Sequence, residues 1–347
     1  MPAFNFARVL LKWHKQHGRH ALPWQQPRTP YRVWVSEIML QQTQVSTVVS
    51  YFETFMAKFP TLETLAQASQ EQVMQQWAGL GYYSRARNLH KTAQLCVSQH
   101  AKQLPNNFES LLLLPGIGRS TAGAILSQAH GLPFAILDGN VKRVLARFHA
   151  IDGLLNASAT SKQLWQLAEA HLPKNDLANY TQAMMDLGAT VCTNRKPQCS
   201  ACPLMQNCLA FQSNRVEQFP NKAASKTIPS REIYALVMIN TDNEILLEKR
   251  PNSGIWGGLF SLPESGDISQ AKSLAATFID QPKSEYLLEP FTHQFSHFKL
   301  NIRPIAWQNC AQKQQIRDND QFRWVARQQL AQLGLPAPIK KLLQDLP

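Results

Sequence analysis

The sequence predicts two domains of different class: an all-α first half, followed by a smaller α+β domain. Three observations lead there. A chain of 347 residues exceeds what one ordinary hydrophobic core serves. Apolar residues recur at helical steps in the first half and in short strand-like runs later. Between the two lies a polar, aperiodic stretch with two prolines, read as a linker over 213–230. The expected domains are therefore 1–212 and 231–347.

Between Val35 and Met56 the residues Ile38, Met39, Val45, Val48, Val49, Phe52 and Phe55 stand three or four apart, the pattern of a helix that buries one face. Similar stretches predict helices over 62–77, 84–98, 120–130, 139–149, 161–171 and 179–191. Beyond the linker, Ile233–Ile239 and Ile245–Glu248 flank the turn-forming Thr241-Asp242-Asn243 and predict a hairpin. Short strands are expected at Phe260, 286–290, 292–302 and 322–325, with helices near 270–280 and 327–333. There is no internal repeat and no low-complexity tract.

Charge separates the halves as well. The chain carries 35 Lys and Arg against 23 Asp and Glu, a net of +12; residues 1–215 hold 20 basic and 10 acidic side chains, residues 216–347 hold 15 and 13. A basic domain beside a near-neutral one suggests that the first meets a polyanion, although a basic surface also serves solubility. The opening MPAFNFARVLLKWHKQHGRH carries charges inside its apolar stretch, unlike an export signal, and no run approaches a membrane span. These features predict a cytoplasmic protein with no membrane partner.

Cys192, Cys199, Cys202 and Cys208 follow the pattern C-x6-C-x2-C-x5-C within 17 residues. Reduced thiols so clustered bind metal, and the spacing leaves zinc and an iron–sulfur cluster both open. Cys96 and Cys310 stand alone among apolar neighbours and read as buried bystanders.

Leu114-Pro115-Gly116-Ile117-Gly118-Arg119-Ser120 is a G-x-G turn opening onto a helix. Gly116 and Gly118 remove the Cβ atoms that would hold a backbone away from a ligand, and the helix start offers free N–H groups to phosphate. The preceding Phe108–Leu114 also reads as helix, so the unit is helix–hairpin–helix, which grips a nucleic-acid backbone without reading its sequence. Asp138, twenty residues on, stands at an expected helix start, where a cap alone would explain it.

The hairpin, Asp138 and the cysteine loop together resemble the endonuclease III superfamily of DNA glycosylases. Ser36-Glu37-Ile38-Met39-Leu40-Gln41-Gln42-Thr43-Gln44 is similar to its adenine-specific branch, the MutY-type A/G-specific adenine DNA glycosylases, and the resemblance runs over 1–211. It implies two helical lobes around a DNA cleft, a [4Fe–4S] cluster on the four cysteines, and removal of adenine mispaired with 8-oxoguanine or guanine in duplex DNA. A single lesion asks only for a monomer. Glu37 would protonate the base and later help activate water, and Asp138 would stabilise the oxocarbenium-like sugar. Ser120 occupies the position where strand-cutting relatives carry a Schiff-base lysine, which implies base removal without strand cleavage. Lys142, one turn after Asp138, reads as a phosphate contact and Asn140 as support for Asp138. Gln182 matches an adenine contact, Tyr82 an intercalating tyrosine and Gln42 a polar wedge.

The second domain resembles the Nudix-related 8-oxoguanine reader of the same family, with Phe295-Ser296-His297 as its recognition loop. Gly258 and Glu264 fit the start of the Nudix signature. Lys272-Ser273 and Ala276-Thr277 stand where its remaining Arg and carboxylates belong, so Mg²⁺-dependent hydrolysis is not expected. Rival readings are a bifunctional glycosylase–lyase, a catalytically silent lesion binder and a Nudix pyrophosphatase with a helical appendage.

Overall fold

A computed structural model describes residues 4–221, 227–280, 282, 284–313 and 321–346. By its contacts the chain divides into two compact units, residues 1–67 with 91–224, and 68–90 with 225–347. Residues 68–90, assigned from sequence to the first domain, thus group with the second.

The first unit is helical: α1 (Phe6–His17), α2 (Pro30–Leu40), α3 (Val45–Lys58), α4 (Leu62–Gln67), most of a helix at Ser84–Gln99, and then Phe108–Leu112, Arg119–His130, Gly139–Phe148, Ser158–Ala170, Leu177–Asp186 and Leu209–Gln212. Counting Gln70–Trp77 in the second unit as α5, these last seven are α6 to α12. Phe6, Leu10, Val141, Val144, Leu145, Ala183, Met184 and Leu187 belong to one buried core. The helix expected over 35–56 is two, because the chain turns at Gln41–Gln44 with Gln42 at φ 57°. The apolar period runs across the break, since Ile38, Met39, Val48, Phe52 and Phe55 are all buried. The stretch 62–77 is likewise divided, where Ser69 caps α5 by accepting the Gln72 N–H at 3.2 Å. After α11 the chain continues as a π turn, Leu187–Val191.

Gly123 sets the approach of the segment after α8. A Cβ there would lie 2.2 Å from the Ala135 carbonyl oxygen, so only glycine lets the chain leading to Asp138 run against that helix. The expected linker is partly structured. Val216–Gln218 forms a 3-10 turn, Phe219 is buried, and Arg147 Nε donates to the Val216 and Phe219 carbonyls at 3.2 and 2.9 Å. Residues 222–226 of that linker lie outside the described residues.

The second unit holds a mixed sheet with β1 (Ser230–Asn240), β2 (Glu244–Lys249), β3 (Phe260–Ser261), β4 (Glu264–Ser265), β5 (Ile279–Asp280), β6 (Ser284–Leu287), β7 (Phe291–Gln294), β8 (Lys299–Gln312) and β9 (Phe322–Ala326). Its central path is β3-β2-β1-β8-β5, with β1 and β8 parallel from Ser230↔Lys299 to Met238↔Trp307. Helix α13 (Ile268–Phe278) contributes Ala271, Ala275 and Phe278 to a core shared with Leu236, Met238 and Ile305. The strand expected over 292–302 is a hairpin, with β7 and β8 joined at 295–298 by a turn in which Phe295 N donates to Phe298 O at 2.9 Å. The helix expected near 327–333 is a 3-10 segment, Arg327–Gln332, and α14 (Ala337–Gln344) has no counterpart in the sequence reading.

Candidate active site

The first unit contains a cavity of about 300 Å³ lined by Glu37 at the end of α2, Gln41 and Thr43 of the following turn, Ser120 of α8, Asp138, Asn140 and Gln182. Arg19, Leu22, Trp24, Leu40, Val45, Thr121, Met185 and Ala189 complete the wall. The structure therefore gathers residues up to 145 positions apart that the sequence reading named separately.

The two carboxyls differ in surroundings. Glu37 Oε1 accepts one hydrogen bond, from Gln128 Nε2 at 3.2 Å. Burial pushes its pKa up to about 7, the negative charge of Asp138 adds to that rise, and Gln128 opposes it. Asp138 caps α9. Its Oδ1 accepts the Val141 N–H at 2.8 Å and its Oδ2 the Asn140 Nδ2 at 3.2 Å. Burial holds Asp138 above its ordinary value too, with these bonds and the charge of Arg143 opposing part of that rise. Two carboxyls of unlike surroundings, one with a single amide partner and one held by two donors, thus share one cavity, and the charge of either disfavours ionisation of the other. Asn140 is itself held, its Oδ1 accepting from Arg143 Nη2 at 2.8 Å.

Ser120 Oγ accepts the Leu137 N–H at 3.1 Å, and among the described residues no lysine lines the cavity. Lys142 is not among its lining residues; Nζ lies 3.4 Å from Asn156 Oδ1 instead. Gln182 is buried, donating Nε2 to Asp186 Oδ1 at 2.8 Å while its Oε1 has no partner. Gln42 is exposed beside the cavity-lining Gln41 and Thr43, in a left-handed conformation that costs a non-glycine residue energy and is concentrated at functional turns. At the hairpin, Gly116 has φ 80° and Gly118 caps α8, with no atom within 4 Å of where its Cβ would stand. Gln128, Arg19 and Asp186 are site residues that the sequence reading missed.

The four cysteines line one small apolar cavity of about 30 Å³ beside Val144, Arg147 and Leu187. Arg147 Nη1 lies 3.4 Å from Cys192 Sγ and donates to Thr193 O at 2.7 Å, tying the loop to α9. Burial pushes the Cys202 thiol up to about 12 and also raises Cys199 and Cys208, with the neighbouring sulfurs adding to each. Bare thiolates are thus disfavoured here, and a cationic centre bonded to all four would offset that. Among the described residues no group of three or more His, Cys, Asp or Glu stands ready to hold a metal ion. Four thiols lining one cavity are a donor set suited to a thiolate-bound metal centre.

In the second unit, Tyr82 is 44% exposed on a turn where Gly79, Gly81 and Tyr82 itself take positive φ of 104°, 71° and 49°. The Arg85 guanidinium lies 5.5 Å from its ring centre. Phe295 sits at the tip of the β7–β8 hairpin, stacked on Phe298 at 4.6 Å and met edge-on by His293 at 4.7 Å. Ser296 and His297 beside it are exposed, with Ser296 Oγ 3.4 Å from His297 Nδ1. The Nudix-type Glu264 is engaged by Arg250 at 2.7 Å, which also meets Glu248 at 3.4 Å, and Lys272 pairs with Glu285 at 2.6 Å. Internal cations thus occupy carboxylates that could otherwise face a metal.

Residues 35–170 match the family model of the HhH-GPD superfamily of base excision DNA repair proteins, and residues 234–345 match that of the NUDIX domain. The chain is 38% identical over 346 residues to the adenine DNA glycosylase of Buchnera aphidicola subsp. Acyrthosiphon pisum, covering 99% of this chain and 98% of that one. It is 35% identical to the Homo sapiens adenine DNA glycosylase, covering 98% of this chain and 73% of the human one. A thermostable thymine-DNA glycosylase structure superposes with a TM-score of 0.55 at 27% identity, over 60% of this chain and 95% of that one. An endonuclease III–DNA complex matches the same fold with a TM-score of 0.51. The chain belongs to the adenine DNA glycosylase family, base excision repair enzymes that hydrolyse N-glycosyl bonds. Among the described residues no helix is long and apolar enough to cross a membrane.

Proposed function

We propose that this chain is a monofunctional glycosylase that releases adenine mispaired with 8-oxoguanine or guanine and leaves the strand intact. The observation that carries the reading is the pairing, in one cavity, of a Glu37 carboxyl raised to about 7 with an Asp138 carboxyl held by Val141 and Asn140. At neutral pH a protonated Glu37 donates to a ring nitrogen of the flipped base as the glycosidic bond breaks. The Asp138 carboxylate faces the positive charge that develops on the sugar, and Glu37, now ionised, accepts a proton from the attacking water. Attack of an amine on the sugar has no candidate among the described residues lining the cavity, since Ser120 offers only a hydroxyl and Lys142 stands outside it.

Tyr82 and Gln42, both exposed on left-handed turns, suit insertion into the stack once the adenine has left it. The glycine-opened hairpin suits a phosphate. Phe295, Ser296 and His297 would read 8-oxoguanine by an aromatic face, a hydroxyl and an imidazole. Cys192, Cys199, Cys202 and Cys208 would hold a [4Fe–4S] cluster, which would cross-link the loop that Arg147 ties to α9. A monomer suffices for one lesion in duplex DNA.

The test is a duplex with a single A:8-oxoguanine pair, quenched with and without hot alkali beside an A:T duplex. The expected result is a break only after alkali and only in the mispair. A break without alkali would make the enzyme a lyase, and binding with no break in either lane would leave a lesion-binding protein.

A further inference from the structure

Beneath the cavity lies a buried polar group that no step above uses. Asp186, at the end of α11, is fully buried and does not line the cavity. Its carboxylate accepts the Arg19 backbone N–H at 2.7 Å, Arg19 Nε at 2.8 Å and Gln182 Nε2 at 2.8 Å, and His14 Nε2 stands 3.4 Å away. Gly18 makes room for that imidazole, because a Cβ there would fall 2.3 Å from the His14 ring. Burial pushes the Asp186 carboxyl up, but His14, Arg19 and Gln182 together hold it below its ordinary range, so it is an anion at neutral pH.

A glutamine amide has two nearly isosteric ends, and which one meets a ligand depends on its neighbours. Here the neighbour is a carboxylate that only accepts, so Nε2 must turn toward it. That leaves Oε1 buried and without a partner, on a residue that lines the cavity. An orphaned buried acceptor is destabilising until a ligand brings it a donor.

We propose that Asp186 is a positioning residue: it fixes the Gln182 amide so that the cavity presents an acceptor, selecting a purine with an amino group at position 6 over one with a carbonyl there. This rests on the reading of Gln182 as a contact to the flipped base. Hypoxanthine, whose 6-oxygen is itself an acceptor, is the matched wrong base. Asp186 never touches the base; it acts only through the end of Gln182 that it leaves free.

The experiment compares single-turnover release of adenine and of hypoxanthine, each opposite 8-oxoguanine, in the full-length protein. In Asp186→Asn the side chain can donate as well as accept, the amide is free to turn over, and the adenine-to-hypoxanthine rate ratio should fall at least about tenfold. Gln182→Met, which needs no polar neighbour, should lower the ratio similarly. Asp186→Glu keeps an acceptor-only carboxylate and should retain the ratio even where both rates drop; loss of stability alone lowers both rates together and so cannot produce the fallen ratio expected of Asp186→Asn. A wild-type ratio in Asp186→Asn overturns the proposal. So does an unchanged ratio in Gln182→Met, whether or not Asp186→Asn folds. A wild-type protein that releases neither base would instead remove the glycosylase reading on which the proposal stands.

Discussion

Leu137 donates its backbone N–H to the Ser120 hydroxyl at 3.1 Å, so the side chain at the head of α8 is tied to the residue just before Asp138. Serine does two things at once: it satisfies a part-buried donor and supplies no amine to the cavity. Replacing it with lysine should separate them. Ser120→Lys should lose about 1–2 kcal/mol of stability from the unpaired N–H. It should also place an amine beside the sugar, giving a borohydride-trapped protein–DNA adduct that the parent lacks. Gel shift after reduction, with a thermal melt, reads both outcomes.

Glu37 sets function against stability. Its carboxyl titrates near 4.5 in the unfolded chain and about 7 in the fold. Below 4.5 it is neutral in both states and costs nothing. Between the two values the unfolded chain sheds its proton while the fold keeps it, so stability falls as pH rises, with the full cost of about 3 kcal/mol reached above pH 7. Glu37→Gln keeps the Gln128 contact without the charge. It should slow excision by about 10²–10⁴, raise the melting temperature at pH 8 and leave it nearly unchanged at pH 4. Melts at the two pH values check this.

Arg147 is 3% exposed and joins the cysteine loop to the segment after it through Cys192 Sγ and the Thr193, Asn194, Val216 and Phe219 carbonyls. Arg147→Met should leave those carbonyls unpaired, lower stability by about 2–4 kcal/mol and reduce the iron recovered per chain. Iron analysis with a denaturant melt would show it.

Phe295 is held ready by its stack on Phe298 and the edge of His293. Stacks of this kind are worth about 0.5–1.5 kcal/mol, so Phe295→Ala should narrow the affinity gap between A:8-oxoguanine and A:G duplexes about three- to tenfold. Binding titrations on the two duplexes measure it.

The legible parts of this protein were those that repeat or cluster along the chain. Four cysteines, a G-x-G turn and helical steps are local; the cysteines line one cavity and the turn opens onto α8, while two of the expected helices are each divided. The turn at Gln41–Gln44 was not legible, because Ile38, Met39, Val48 and Phe52 keep one period across it while the backbone reverses. Helix α1 escaped notice because its buried face is only Phe6, Ala7, Leu10 and His14. Asp138 looked like a cap and is one; its second oxygen, bonded to Asn140, is what the capping pattern could not reveal. Asp186 offered only the four-residue step to Gln182, since its other partner Arg19 lies 167 positions away. Long-range pairing of this kind arises from packing, and no spacing rule encodes it.

The most direct test of the central claim, a protonated Glu37 beside an ionised Asp138, is the pH dependence of single-turnover adenine release from an A:8-oxoguanine duplex. The neutral fraction of Glu37 falls tenfold for each pH unit above its pKa, so the rate should decline above about pH 7. Glu37→Gln should be slower by about 10²–10⁴ and show no such decline. A wild-type rate that stayed level or rose up to pH 9 would contradict the assignment of Glu37 as the proton donor.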